Sequence, residues 1–217
     1  MPNPMFEDPI RWALGLTKKK MLDVLAGEEE LNGMKGPSAI YESLKRINLN
    51  QAISDARKKA MNGRASDRDL AMKQFSVLSG ARSQGKHPSE WMVTKVPVLP
   101  PRFRPVSLMQ DSGVALVNDY NYLYSSLFEA SKNLQDMSKR VDDVSEERRT
   151  LYQTYKSLVG LSEPTHPKLQ EKGVRGILAH VLGNSPKEGA LQRRLISTTV
   201  DNVGRGTIIP DPDLDMD

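Results

Sequence analysis

Two stretches carry residue types and spacings from which phosphate or metal chemistry is built. Gly80-Ala81-Arg82-Ser83-Gln84-Gly85-Lys86 fits the first seven positions of a phosphate-binding P-loop. A P-loop needs a hydroxyl next, to reach the metal, and then a helix whose N-terminus holds the phosphate. Here His87 and Pro88 follow, and the preceding segment has helical periodicity instead of a strand's, so the run reads as a turn that ends a helix. Asp211, Asp213, Asp215 and Asp217 alternate like the start of an EF-hand loop, but Met216 stands where that loop needs Gly. They read as a solvated acidic tail. His87, His166 and His180 lack ligand spacing, and no Ser/His/Asp or Cys/His arrangement is apparent. The stretch with more content is Lys187-Glu188-Gly189, Arg193-Arg194-Leu195 and Val200-Asp201-Asn202-Val203-Gly204-Arg205-Gly206. Glycines permit close backbone approach, and Arg and Lys at intervals can meet successive phosphates. No catalytic residue and no metal ligand is assigned.

The background is mildly basic. The 217 residues carry a net charge of +4 with a pI near 9.2, and 38% are hydrophobic. That fraction predicts a helix-rich chain with much solvated surface and more than one small core. Between Asp55 and Lys86 eight Lys/Arg face three Asp, and between Lys168 and Arg205 seven face three acids. A polyanion would fit both stretches, as would solvated helix faces. The absence of cysteine excludes a disulfide scaffold and a Cys-based zinc site. No apolar run approaches the ~20 residues needed to span a bilayer, and Met1-Pro2-Asn3-Pro4 does not resemble a secretory signal. A cytoplasmic location is expected, in a cell or in an infected host or virion.

The elements that must position these residues follow from apolar periodicity. Residues 6–26 read as one or two short helices, and 38–49, 51–61 and 68–79 as further helices, the last ended by Gly80 and Gly85. Trp91 to Val96 is β-rich. Four prolines within Pro97–Pro105 then fix φ and remove hydrogen-bond donors, which predicts a stiff extended strap. Tyr120, Leu123, Leu127, Ala130, Leu134, Met137 and Val141 form a 3-4 heptad seam, continued after a tight Asp142-Asp143 turn by Val144, Arg148, Leu151, Tyr155 and Leu158. Asp143 and Glu146 form a candidate capping pair. The prediction is an antiparallel coiled-coil hairpin with arms of about 30 Å, projecting as a docking arm. A linker at 163–167, a short helix at 174–182, a basic helical turn at 190–196 and a strand at 207–209 complete the chain.

In this order the pieces resemble one family. Glu90-Trp91-Met92, Val96-Pro97-Val98-Leu99-Pro100-Pro101 and Arg104-Pro105 resemble the "PEWM…lPVlPPdlRP" stretch of the largest (β′-type) subunit of multisubunit DNA-directed RNA polymerases. Asn118-Asp119-Tyr120-Asn121-Tyr122-Leu123-Tyr124 is similar to the "sDlNdLYr" start of that subunit's clamp helices. Lys187-Glu188-Gly189 with Val200-Asp201 and Gly204-Arg205 resembles its "GKxGrfR…GKRVDxSGRs" switch, and Thr207-Ile208-Ile209-Pro210-Asp211-Pro212-Asp213-Leu214 its "vItPdPnL". The similarity runs from about Met34 to Asp217. The sequence departs from the family pattern at Thr198-Thr199, where the family has Lys-Arg, and at Gly189-Ala190-Leu191-Gln192, where it has "GrfR". Such divergence suggests a viral (phage-type) or split subunit.

The resemblance implies a mainly α fold with short β segments. Its parts would be an N-terminal helical clamp region (1–90), a β/Pro-rich lid segment (91–118), coiled-coil clamp helices (119–160), and a rudder-like linker, switch and first strand of an incomplete β-barrel (161–217). It implies nucleic-acid contacts at Arg102, Arg104, Lys187, Arg193, Arg194 and Arg205. Docking of an initiation factor falls near the hairpin tip, at Met137, Lys139, Arg140, Glu146 and Arg148. The implied partners are the β-like subunit, the remaining β′-like segment, template DNA and nascent RNA. The family's "NADFDGD" motif is not in this sequence, so Mg is expected on the partner catalytic segment and no cofactor on this chain. The expected function is a non-catalytic share of a DNA-directed RNA polymerase, a nucleotidyltransferase. The competing reading is a coiled-coil adaptor that binds protein partners and RNA, which leaves Val96–Pro105 unexplained.

Overall fold

The computed structural model describes residues 1–109, 113, 115–183, 189–196, 200–208 and 210. Two compact units, 1–178 and 179–217, divide the chain. The described residues are mainly helical, with one small antiparallel sheet.

Five helices build the first part: α1 (Glu7–Leu14), α2 (Lys18–Ala26), α3 (Gly36–Lys45), α4 (Leu49–Asn62) and α5 (Ala65–Ser83). Their boundaries follow from side chains that satisfy the unpaired amides of a helix's first turn. Thr17 Oγ1 accepts from Lys20 N at 3.2 Å to start α2, and Asn48 Oδ1 accepts from Gln51 N at 3.3 Å to start α4. The Asn48 cap explains why the helix expected over 38–49 stops at Lys45: the next one is already beginning. Conversely, α5 runs through Gly80, because Leu78 and Ala81 are both packed in the core and hold that turn helical. Gly85, with φ +64°, ends it.

Ile10, Met21, Val24, Leu25, Ile40, Leu44 and Leu78 form the first core, each at most 2% exposed. Complete burial of one such side chain contributes about 1.5–3 kcal/mol. Trp91 closes this core and stacks on Phe6, ring centroids 5.6 Å apart. The β-rich stretch Trp91–Val96 forms no strand: a 3-10 turn, Pro88–Trp91, takes its first residue and the others form no regular element. His87 imposes this turn with a capping box, its ring nitrogen and the Glu90 carboxylate satisfying backbone donors reciprocally. Only Met92 keeps β-type pairing, with Pro2, and Met1 and Val93 exchange backbone bonds of 2.9 and 2.7 Å beside it.

After the proline strap come β1 (Val106–Leu108) and β2 (Ala115–Val117), then α6 (Asp119–Met137), α7 (Ser145–Val159), α8 (Pro167–Glu171) and α9 (Ile177–Leu182). α6 and α7 pack together through Leu123, Leu127, Tyr155 and Leu158, the centre of a second core. The C-terminal turns of α6 face the N-terminal turns of α7 across one cleft, so the pair is antiparallel. The heptad seam is buried at Leu123, Leu127 and Ala130 but fades toward Val141, which is 47% exposed. Residues 138–144 connect the helices, a longer link than the expected Asp142-Asp143 turn. Asp143 Oδ1 accepts from Ser145 N at 3.1 Å, and that bond holds its carboxyl below the usual range.

The two helices do not stand free along their length. α7 also buries Tyr152 in the first core, against α1 and α2. Tyr152 donates to Glu7 Oε2 at 3.0 Å, Lys156 pairs with the same oxygen at 2.7 Å, and Arg149 joins Asp23 at 2.8 Å and Glu28 at 2.5 Å. Gly176 is placed by contact: a Cβ there would overlap Ser157 O and Gly160 N at the end of α7.

In the second unit, Leu191–Ile196 forms a single π-type helical segment. Thr207 and Ile208 belong to no strand, and Ile208 is 98% exposed, so the expected strand has no partner among the described residues. Ile209 and the acidic residues Asp211, Asp213, Asp215 and Asp217 lie outside the described residues.

Candidate nucleic-acid interface

Prolines leave the strap few N–H groups, and α6 supplies partners for the strap's exposed polar atoms. The Tyr124 hydroxyl donates to Pro97 O and accepts from Leu99 N, both at 3.1 Å. Asn121 and Arg104 exchange two bonds: Arg104 Nη1 donates to Asn121 Oδ1 and Asn121 Nδ2 to Arg104 O, each at 2.9 Å. Arg104 Nε donates to Leu99 O at 2.7 Å, and its guanidinium carbon lies 5.9 Å from the Tyr124 ring centre. Arg104, expected to meet nucleic acid, is thus occupied within the chain as a brace. Asn118 begins α6 by accepting from Tyr120 N at 3.0 Å, and its own N–H donates to Pro105 O at 3.2 Å. The residues read from sequence only as the start of a helix are therefore also the anchor of the strap.

From this fixed base the β1–β2 hairpin emerges with Val106 opposite Val117 and Leu108 opposite Ala115. Apart from Ser107 its strand side chains are apolar, and most are uncovered: Val106 is 58% and Leu108 73% exposed. At the base, on a 3-10 turn Pro101–Phe103, Arg102 is exposed beside Phe103. An exposed ring next to a guanidinium can stack on a base while pairing a phosphate.

The second unit holds the remaining expected contacts. Arg193 and Arg194 lie on the Leu191–Ile196 segment, Arg193 N donates to Gly189 O at 3.0 Å, and Arg193 and Arg205 are exposed. Lys187 lies outside the described residues, as do Thr198 and Thr199. Gly189 sits where a Cβ would overlap Leu182 O, a close approach that only glycine permits.

At the connected end of α6 and α7 the structure brings Met137, Arg140 and Glu146 around one cleft of about 470 Å³, with Asn133, Asp136 and Glu147, which sequence reasoning missed. Lys139 is exposed nearby in the chain. Arg148 points elsewhere: its Nη1 donates to Ala26 O at 3.1 Å, at the C-terminus of α2, where a cation opposes the helix dipole.

The P-loop-like run has no phosphate cradle. Lys86 pairs with Glu90 at 3.2 Å, and His87 is held by Ser89 and by Ile47 O. Among the described residues no group of three His, Cys, Asp or Glu could hold a metal, and no helix is long and apolar enough to cross a membrane.

The sequence comparisons bear directly on these parts. The DNA-directed RNA polymerase subunit β′ of Bacillus mycoides is 30% identical over 187 residues, covering 83% of this chain and 15% of the relative. Over most of its length the chain is β′-type. The β′ subunits of Moorella thermoacetica (29% over 195 residues, 83% of this chain and 16% of the relative) and Rubrobacter xylanophilus (28% over 198 residues, 85% and 14%) agree. The chain spans about 15% of the length of the β′ relatives it matches. No protein-family model matches it. The expectation of a viral or split subunit finds no support in these bacterial β′ relatives.

Proposed function

We propose that the chain serves as a β′-like nucleic-acid-handling part of a DNA-directed RNA polymerase, in the cytoplasm, together with a β-like subunit and a β′-like segment that carries the catalytic metal motif. The observation that carries this reading is the braced strap: Tyr124, Asn121 and Arg104 fix a proline-rich segment whose continuation is an exposed hairpin. A rigid base under an apolar hairpin is suited to wedging between strands, as the lid of the family does. Arg102 and Phe103 at that base meet phosphate and base, and Arg193, Arg194, Arg205 and Lys187 form a second contact region that acts on template. The antiparallel helices α6 and α7 act as the clamp coiled coil, with Met137, Arg140 and Glu146 at its tip receiving an initiation factor. Two-metal phosphoryl transfer belongs to the partner segment.

Binding to a DNA bubble carrying an RNA–DNA hybrid tests this. Affinity should fall steeply with salt through release of counterions, and Arg102→Ala should reduce the salt slope by about 1. Salt-insensitive binding to a protein partner alone would instead favour the adaptor reading.

A further inference from the structure

Like α6–α7, the antiparallel pair α4–α5 leaves much of its connected end uncovered. The end near α1 is anchored: Ile53 and Leu78 lie in the first core, and Gln74 Nε2 donates to Ala13 O at 3.1 Å. Beyond Ala56 and Ala71, which are buried, every side chain at the connected end except half-buried Ala60 is exposed. Met61 is 72%, Met72 57% and Leu70 40% exposed. Arg57, Lys58, Lys59, Arg64 and Arg68 lie in the same stretch of chain, all exposed, and among the described residues none forms a salt bridge although Asp67 and Asp69 are close in sequence. Arg57 and Met61 stand one turn apart on α4, and Arg68 and Met72 one turn apart on α5, so each helix offers a cation followed by a thioether on one face.

We infer that the connected end of α4–α5 is a docking surface for an acidic, amphipathic protein segment. Unpaired guanidinium and ammonium groups call for carboxylates or phosphates. The choice between them rests on the apolar component: a phosphate backbone makes no use of Met61 and Met72, whereas a helix with carboxylates flanking an apolar stripe engages the cations and the thioethers together. Methionine suits such a surface because its flexible, polarizable side chain adapts to the partner. Asp67 and Asp69 on the same arm also weaken attraction for a dense polyanion. The surface is separate from the braced strap and from the α6–α7 cleft, so the inference stands whether or not the polymerase reading does.

The test uses the full chain and three fluorescent probes: a helical 18-residue peptide of Glu and Leu at i, i+4 spacing, its Gln/Leu counterpart, and a 20-base-pair DNA duplex. The acidic peptide should bind at least tenfold more tightly than the neutral one and more tightly than the duplex. Met61→Ser with Met72→Ser should weaken the acidic peptide at least fivefold and leave the duplex unchanged. Arg57→Glu with Arg68→Glu should abolish peptide binding. Circular dichroism should show unaltered helix content in all variants, because every substituted side chain is exposed. The proposal is overturned if the duplex binds tightest, if the methionine pair has no effect, if the charge reversals leave binding intact, or if the acidic peptide does not bind. Tightest binding of the duplex would assign the arm to nucleic acid.

Discussion

Removing one oxygen atom tests whether the strap is braced as described. Tyr124 is 3% exposed, and its hydroxyl satisfies both Pro97 O and Leu99 N. Tyr124→Phe keeps the ring in the second core, so the loss is confined to these two bonds. At about 0.5–1.5 kcal/mol each, they sum to about 2 kcal/mol. For a chain of this size that corresponds to a Tm lower by about 4–8 °C. The location of the effect matters more than its size. The Leu99 amide should exchange with solvent faster in the variant, by a factor set by the lost local stability, about 10–30-fold for 2 kcal/mol. Amides in α2 and α3 should keep their order of protection, since the brace does not touch them. The assay is hydrogen exchange read by NMR or mass spectrometry beside a thermal melt. An unchanged melting point together with unchanged exchange at Leu99 would refute the brace and with it the fixed base of the β1–β2 hairpin.

Other consequences follow from buried groups in and around α7. Lys156→Met should destabilise by about 3 kcal/mol, because Glu7 stays buried with only Tyr152 as a partner; urea melts measure it. Ser157→Ala should be neutral or stabilising by up to about 1 kcal/mol, since Ser157 Oγ is buried with no partner among the described residues. Burial and the adjacent Glu7 raise the Tyr152 phenol far above its ordinary value, and burial also raises Tyr155 and Tyr120. These groups ionise more readily in the unfolded chain, so stability is retained below pH 10 and declines as pH rises beyond it. Ultraviolet titration should show tyrosines ionising in two classes, with Tyr152 silent until unfolding, and Tyr152→Phe should flatten the alkaline loss.

Much of this was legible in the sequence, and the misses have physical causes. The helices over 6–26, 51–61 and 119–159 follow from 3.6-residue periodicity, which tertiary packing did not override. Proline chemistry predicts the extended strap, but the 3-10 turn Pro101–Phe103 interrupts it within the expected Pro97–Pro105. The brace was hidden because Asn121 and Tyr124 fall off the 3-4 seam, where polar and aromatic residues read as solvated surface, and nothing local pairs them with residues about 20 positions earlier. The second buried face of α7 was missed for a similar reason. Tyr152 sits beside the seam, and its burial requires α1 and α2, which are distant in sequence. Arg148 illustrates the same point: a basic residue near a predicted tip proved to cap the helix ending at Ala26. Heptad spacing identifies a helix pair but says nothing of what covers its outer side. For the candidate site, the order of motifs was informative and individual arginines were not, since exposure and bracing look identical in one sequence.

The central claim is membership of a transcribing complex, and native purification tests it most directly. An affinity-tagged chain isolated from its own cells should bring down, in stoichiometric amounts, a β-like subunit and a β′-like segment containing a DFDGD motif, and the complex should extend RNA on a primed template. Recovery of the chain as a lone monomer, or with partners that include no polymerase subunit, would contradict it.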